Sequence, residues 1–282
     1  LVIVPGRHVV RRLQRVQRRL HQINLLKRPR RRQSPGHGGE GEVLDEGVDL
    51  RGANLTRTNF TKANLTDAKI TTAIVNGFGL KTILFGVNLT NADLTNADLS
   101  NMDLRGGVNL TGANLTGGEL DDANATGATL TDANLTNVAL QNANLTKADL
   151  TRVNLTGLNL DRVRLIGATL AETNLSFQNL SGRDLTGANL TGANLTATNL
   201  SGANLTGANL TGTNLGSGNT DLTGANLTEA NLTGLDLSRK DLTDQNLSGA
   251  NLTNAILLDT KLINANLTGA NLTNAALADG EG

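Results

Sequence analysis

From Leu50 onward leucine returns every fifth residue, with Asn or Asp just before it and a small residue two places before it. Residues 187–210, GANLTGANLTATNLSGANLTGANL, show the pattern at its cleanest. A period of five suits neither regular element. On an α-helix, residues five apart are turned by roughly 140° net, so the leucines would point all round the axis. On one continuous strand an odd spacing sends successive leucines to opposite faces. Each period must therefore reset direction: a short strand, then a turn, with every leucine pointing inward from a new side of a coil. Coils stacked at about 4.8 Å let each backbone pair with the next and set leucine above leucine. No repeat buries its own apolar face; neighbours bury it for one another.

The motif stands as Ala53-Asn54-Leu55-Thr56-Arg57, Ala92-Asp93-Leu94-Thr95-Asn96 and Ala188-Asn189-Leu190-Thr191-Gly192, among dozens of tandem copies. In these residues the chain resembles the pentapeptide-repeat family, A-(D/N)-L-X-X, over roughly residues 48–280. The resemblance implies an all-β fold, a right-handed quadrilateral parallel β-helix with four pentapeptides to a coil. The central Leu and the small residue two before it then face inward, and the other three positions face solvent. Leu55, Leu115, Leu135, Leu155, Leu190, Leu205, Leu227 and Leu252 are expected in the core.

Counting centres from Leu50 through Phe85, Leu89 to Leu104, Leu110 to Leu215 and Leu222 to Leu277 gives 46. That predicts 11–12 coils and a rod of about 50–55 Å. The residue after the centre is usually Thr, but it is not at Asp121, Gln141, Asp161, Ser181 and Ser201, nor at Ser238, Leu258 and Ala278. Both sets recur every twenty residues, so one side of a four-sided coil is expected to differ from the others. Glycine at many corners suits turns that need positive φ. The absence of Pro after Pro35 fits a backbone whose N–H groups are in use.

The rhythm breaks in three places. Phe85 to Leu89 is one residue short and Leu104 to Leu110 one residue long, so the slips cancel. Phe78 and Ile83 stand where a small residue is expected, and residues 74–89 are read as a distorted coil with a bulge. Between Leu215 and Leu222 two residues are extra, and GSGNTD reads as a short protruding loop, either a tolerated insertion or a functional one.

The net charge of zero is the sum of two unlike parts. Residues 1–40 carry eleven Lys/Arg against the single acid Glu40, which leaves 14 basic and 24 acidic residues in 41–282, a net of −10. The chain divides into a basic segment and linker, 1–47, and the repeat region, 48–282. Val9, Leu13, Val16, Leu20 and Ile23 recur at helical spacing among arginines, which predicts a basic amphipathic helix. Four readings of it stand: a cap on the open end of the β-helix, a membrane- or nucleic-acid-binding element, an Arg-rich presequence, or upstream sequence read from a mistaken start. The chain opens on Leu1 and its one Met is Met102, so the true start is expected elsewhere.

The repeat region contains no His, Cys, Tyr or Trp. No Ser/His/Asp or Cys/His constellation can be assembled, and neither can a His-based metal site. Glu119, Asp121, Asp122 and Asp132 read as solvated surface charge, and the glycines follow the corners without forming a phosphate cradle. No enzyme activity, cofactor or metal is expected, and no apolar run is long enough to span a membrane. About two dozen Asn-Leu-Thr/Ser triplets match the N-glycosylation acceptor pattern, but repeat position explains them all.

A non-enzymatic structural or protein-interaction module with an unknown protein partner is the leading expectation, placed in the cytoplasm unless the basic segment targets it elsewhere. Candidate interaction features are Phe177, Asp121, Asp161, Ser217 and Asn219. The alternative drawn from the resemblance is an acidic DNA mimic that binds a type II topoisomerase, gyrase, and protects it from quinolones. Against this, the acids are diluted by Thr, Asn and Gly, and the closing NAALADGEG shows no dimerisation segment. Direct nucleic-acid binding is expected only of the basic segment. A thinner third idea is ice binding by the Thr ranks.

Overall fold

The computed structural model describes residues 49–277, apart from 52–54, 71–72, 76–77, 81 and 217–218. The basic segment 1–47, with its expected helix, lies outside the described residues, and so does Ser217.

The described residues stack into coils. Isolated parallel bridges join residues twenty apart, such as Asn114 to Asn134 and Asn174 to Asn194. Four pentapeptides therefore make one coil, and equivalent residues form columns on four sides. Side 1 runs through the centres Leu50, Ile70 and Leu99 to Leu262, and side 2 through Leu55, Leu84 and Leu104 to Leu267. Side 3 runs through Phe60, Leu89 and Leu110 to Leu272, and side 4 through Leu65, Leu94 and Leu115 to Leu277. Each side counts eleven centres among the described residues, so the stack is eleven coils, a rod about 50 Å long.

One repeat shows why five residues suffice. The Ala113 N–H closes a turn onto Leu110 O at 2.9 Å, and the Asn114 N–H reaches back one coil to Ala92 O at 2.9 Å. The N–H groups of Leu115 and Gly117 reach forward one coil, to Asn134 O at 2.8 Å and Thr136 O at 2.9 Å. The remaining N–H, that of Thr116, donates to its own repeat's Asn114 Oδ1 at 3.2 Å. All five donors are used, so a proline anywhere would orphan an acceptor. The second corner residue takes φ of about +51° to +80°, the mark of a type II turn, which is where the glycines collect.

The expected core is observed. Leu55, Leu115, Leu135, Leu155, Leu190, Leu205, Leu227 and Leu252 are all buried. Each buried leucine contributes roughly 1.5–3 kcal/mol before chain entropy is subtracted. Where the inward small residue is polar, its side chain finds a carbonyl, at the corner one coil back or, for Thr213, at Leu210 O of its own turn. Thr173 Oγ1 donates to Leu150 O at 2.9 Å, Gln178 Nε2 to Leu155 O at 2.6 Å and Thr198 Oγ1 to Leu175 O at 2.8 Å. Gln245 is the exception, because its buried Oε1 has no partner. Gln245→Met keeps the volume and removes the orphaned acceptor. It should raise unfolding stability by about 1–2 kcal/mol in urea denaturation.

Three expectations about the irregular places are corrected. Residues 74–89 are not a distorted coil. After Ile70 the chain leaves the stack as an antiparallel hairpin, β1 (Ala73–Val75) and β2 (Phe78–Leu80), with Ala73 opposite Leu80. Bridges across this coil span 29 residues, as in Asn59 to Asn88, so nine residues are inserted. The chain re-enters at Thr82-Ile83-Leu84, where Leu84 is the buried centre and Phe85 lies 53 % exposed at the corner. The spacing from Leu84 to Leu89 is then a regular five, there is no short slip, and the centres number 44 rather than 46. The long slip is real. Gly106 and Gly107, with φ of 78° and 80°, absorb one extra residue, and bridges across that coil span 21. Finally, the two Thr-free sets fall on different sides. Asp121 to Ser201 lie on side 1, whereas Ser238 and Leu258 lie on side 4.

Candidate corner site

Most of the outer wall is closed to partners by its own hydrogen bonds. Where Asn precedes a centre and Thr follows it, the Asn accepts from the Thr, as Thr191 N–H (3.1 Å) and Oγ1 (2.6 Å) do at Asn189 Oδ1. Several of the amide nitrogens reach along the column. Asn134 Nδ2 meets Thr116 Oγ1 at 3.0 Å, and Asn209 Nδ2 meets Thr191 Oγ1 at 2.9 Å. Such a surface is polar yet largely satisfied within itself.

Besides the hairpin and the extra residue at Gly106-Gly107, the regularity fails at the corner between sides 4 and 1 in the last three described coils. Leu215 to Leu222 carries the two-residue insertion, and Gly216 presses on the next coil so closely that a Cβ there would lie 1.6 Å from Asp236 O. The rung at this place is altered. Asn214 uses its side chain instead of its carbonyl, with Oδ1 accepting from Leu195 N–H at 2.7 Å. Beneath the insertion the Asn/Thr column of side 4 gives way to Asp236-Leu237-Ser238-Arg239 and then Ile256-Leu257-Leu258-Asp259. The result is a cleft of about 950 Å³ walled by Asn219, Ser238, Arg239, Lys240, Asp259 and Leu277.

Lys240 occupies an inward corner slot that holds Thr198, Thr220 and Thr260 in neighbouring coils. It cannot be swallowed by the core, so it bends out towards the insertion, with Nζ 3.4 Å from Thr220 O. Burial lowers its pKa below the ordinary lysine value, and Asp221 opposes that shift. Arg239 faces Asp259 at 3.8 Å, and both side chains are at least 80 % exposed, so the pair is weak and easily opened. Leu277 of the last described coil lines the cleft, whereas the exposed Ile256 on side 4 and Ile263 at the corner between sides 1 and 2 lie outside its lining.

The residues singled out in the sequence do not come together. Asn219 lines the cleft. Asp121 serves the backbone of the next coil. Position 139 is Ala and offers no side-chain acceptor, so Asp121 Oδ1 of the coil before takes the Gln141 N–H at 2.6 Å. Asp161 lies two coils on along side 1, where its carbonyl accepts from Arg183 and its N–H donates to Asn159 Oδ1. Phe177 projects from a corner, 78 % exposed at φ 62°, a conformation that costs a side chain about 1–2 kcal/mol. Sequence reasoning missed Arg239, Lys240, Leu258 and Asp259. The available signal was LDLSRK and AILLDT breaking the Asn-Leu-Thr rule in adjacent coils. Among the described residues no group of three or more His, Cys, Asp or Glu is placed to hold a metal ion, and no helix is long and apolar enough to cross a membrane.

Several aspartates in the wall are held below their ordinary pKa. The Thr95 hydroxyl lowers Asp93. Burial pushes Asp149 up, but hydrogen bonds from Thr151 and Thr131 outweigh it. The Thr223 N–H lowers Asp221, and Ser238 lowers Asp236. A carboxylate depressed in the folded state stabilises it above the unfolded pKa, near 3.9, and that contribution is lost as pH falls through the folded values. Urea midpoints should therefore be level from about pH 7 to 5 and fall below about pH 4. Half-buried Asp93 and Asp149 should carry most of the loss, which Asp93→Asn with Asp149→Asn should flatten.

The family model described as pentapeptide repeats (8 copies) matches residues 46–77, 82–118, 106–141, 119–157, 148–187, 159–196, 179–216, 218–244 and 246–279. No curated protein matches the chain. Among solved structures it is similar to HetL, a pentapeptide repeat protein involved in heterocyst differentiation regulation from the cyanobacterium Nostoc sp. strain PCC 7120. That likeness is 33 % identical, covers 84 % of this chain and 92 % of HetL, and has a TM-score of 0.32. A pentapeptide repeat protein of the Arabidopsis thaliana thylakoid lumen is 31 % identical over 41 % of this chain and 72 % of its own, with a TM-score of 0.18. Full-length QnrB1, a plasmid-mediated fluoroquinolone resistance protein, is 15 % identical over 85 % of this chain and 94 % of its own, with a TM-score of 0.20.

Proposed function

Because this chain belongs to the pentapeptide-repeat family, we propose that it works without catalysis, as a rigid right-handed rod that holds a protein partner at the corner between sides 4 and 1. The observation that carries this reading is convergence. An insertion, the end of an Asn/Thr column, a half-buried lysine and the side chains of Leu258 and Leu277 meet at one cleft in the wall. A scaffold role asks nothing of the other faces except stiffness, which their ladders supply.

A photo-reactive residue at Ser238 should give a discrete adduct in extract of the native host, whereas the same group at Thr233 on side 3 should not. Equal labelling from both positions, or none from either, would end this reading. Lys240→Met should raise the unfolding midpoint slightly, since it removes a partly desolvated cation, and should weaken the Ser238 adduct about tenfold. A residue that lowers stability while it serves recognition is what a docking corner requires.

The acidic DNA-mimic reading has less support. Among the described residues five aspartates sit in ion pairs, Asp49–Arg51, Asp103–Arg105, Asp132–Arg152, Asp259–Arg239 and Asp241–Lys261, so at these sites the wall presents a neutral pair in place of a bare carboxylate. The expected result with gyrase is unaltered supercoiling and no quinolone protection at micromolar protein.

A further inference from the structure

The sequence holds 23 Asn-X-Thr/Ser triplets, and the fold places those among the described residues in columns on the wall. On sides 2, 3 and 4 seven acceptor asparagines, among them Asn114, Asn134 and Asn266, are held through the amide nitrogen by the coil before. Asn209 Oδ1 accepts from Thr211 N–H at 3.2 Å and Oγ1 at 2.9 Å, while its Nδ2 donates to Thr191 Oγ1 at 2.9 Å. Asn204 and Asn226 repeat this on side 2, with Nδ2 2.9 Å from Thr186 Oγ1 and 3.0 Å from Thr206 Oγ1. On side 3, Asn189, Asn209, Asn231, Asn251 and Asn271 stand in five successive coils, one rung of about 4.8 Å apart.

We propose that folding and asparagine-linked glycosylation exclude each other in this protein. The asparagines accept an oligosaccharide only in the unfolded chain, and a chain so modified cannot close its coils. In the transfer the carboxamide nitrogen attacks the anomeric carbon of a lipid-pyrophosphate-linked oligosaccharide. An N–C bond forms, the bond from that carbon to the pyrophosphate oxygen breaks, the lipid pyrophosphate leaves, and the nitrogen gives one proton to a base of the transferase. At those seven positions the nitrogen that must attack is bonded to the coil before it, and elsewhere the acceptor's main chain is fixed in the rungs between coils. The product is no easier to fit. A pyranose with its hydroxyls is wider than one rung, so two neighbours in a column cannot both carry a glycan while their coils pair. With triplets on all four sides, random modification of an unfolded chain strikes neighbours readily. The protein therefore matures where no such transferase meets the nascent chain, and passage through a glycosylating secretory compartment destroys it.

The test uses the full chain, purified oligosaccharyltransferase and its lipid-linked donor. The folded chain should gain at least about tenfold fewer glycans by mass than the urea-unfolded chain. After dilution from urea, chain carrying several glycans should fail to regain the far-UV circular dichroism that mock-treated chain regains. Equal modification of folded and unfolded chain would overturn the proposal, as would native circular dichroism in molecules carrying glycans on both Asn209 and Asn231. A second measurement does not depend on refolding. Directed into the yeast secretory pathway, the chain should be heavily glycosylated and retained, and an inhibitor of donor synthesis should release it unmodified and folded. Secretion of folded, unmodified chain without the inhibitor would overturn the proposal as well.

Discussion

Leu205→Ala should cost the rod about 3–4 kcal/mol in urea denaturation, and Leu272→Ala only about 1 kcal/mol. Both residues are centres with the same two-sided environment in sequence. They differ in what the stack does for them. Leu205 is fully buried, with Leu185 in the coil before it and Leu227 in the coil after, so truncation opens a cavity shared by two interfaces. Leu272 lies in the last described coil, is only partly buried, and among the described residues stacks on Leu252 alone. In a one-dimensional stack stability is close to a sum of nearest-neighbour terms, so position along the rod decides the cost. Hydrogen exchange should show the same asymmetry, with amides of coils near Leu205 losing protection in the variant and those near Leu272 changing little. Equal costs at the two sites would mean that axial leucine columns do not hold the molecule together.

Period five made the columns legible because it follows from geometry alone. A residue that must point inward from a new side every five positions leaves few solutions, and Leu55 through Leu252 all sit where that argument puts them. The failures have equally physical causes. Counting by fives from Ile70 lands on Val75, Leu80 and Phe85, all apolar, so hydrophobicity could not reveal that a hairpin had displaced the frame. The Asn76-Gly77 pair between two short apolar runs was the signal that outranks the count. Nor could acceptor duty be read from one repeat. Asp121 looked like free surface charge, and its role appears only when Ala139, one coil later, is seen to lack the oxygen that Gln141 needs. The corner cleft is harder still, because its walls come from residues as far apart as Gly216 and Leu277, and no local pattern announces that the two approach.

Gly216→Ala should destabilise the rod by about 3 kcal/mol or more, while Gly207→Ala should cost about 1 kcal/mol, although both are corner glycines in nearby repeats. Gly207 needs only its conformation. Its φ is 64°, nothing lies near the missing Cβ, and Ala197 already holds the same corner position at φ 53° two repeats earlier. The penalty there is the ordinary one for a side chain in left-handed backbone. Gly216 needs its emptiness. An added Cβ would lie 1.6 Å from Asp236 O and 2.7 Å from Asp236 C, and both obstacles are backbone held in the following coil. Neither can rotate away, so the clash must lift the insertion or break the rung from Asp236 to Ile256. The first outcome raises the roof of the cleft and the second breaks its floor, so labelling from Ser238 should fall together with stability. A Gly216→Ala rod as stable as Gly207→Ala, with Ser238 labelling intact, would show that the insertion does not bear on the coil beneath it, and the corner would lose the constraint that shapes it.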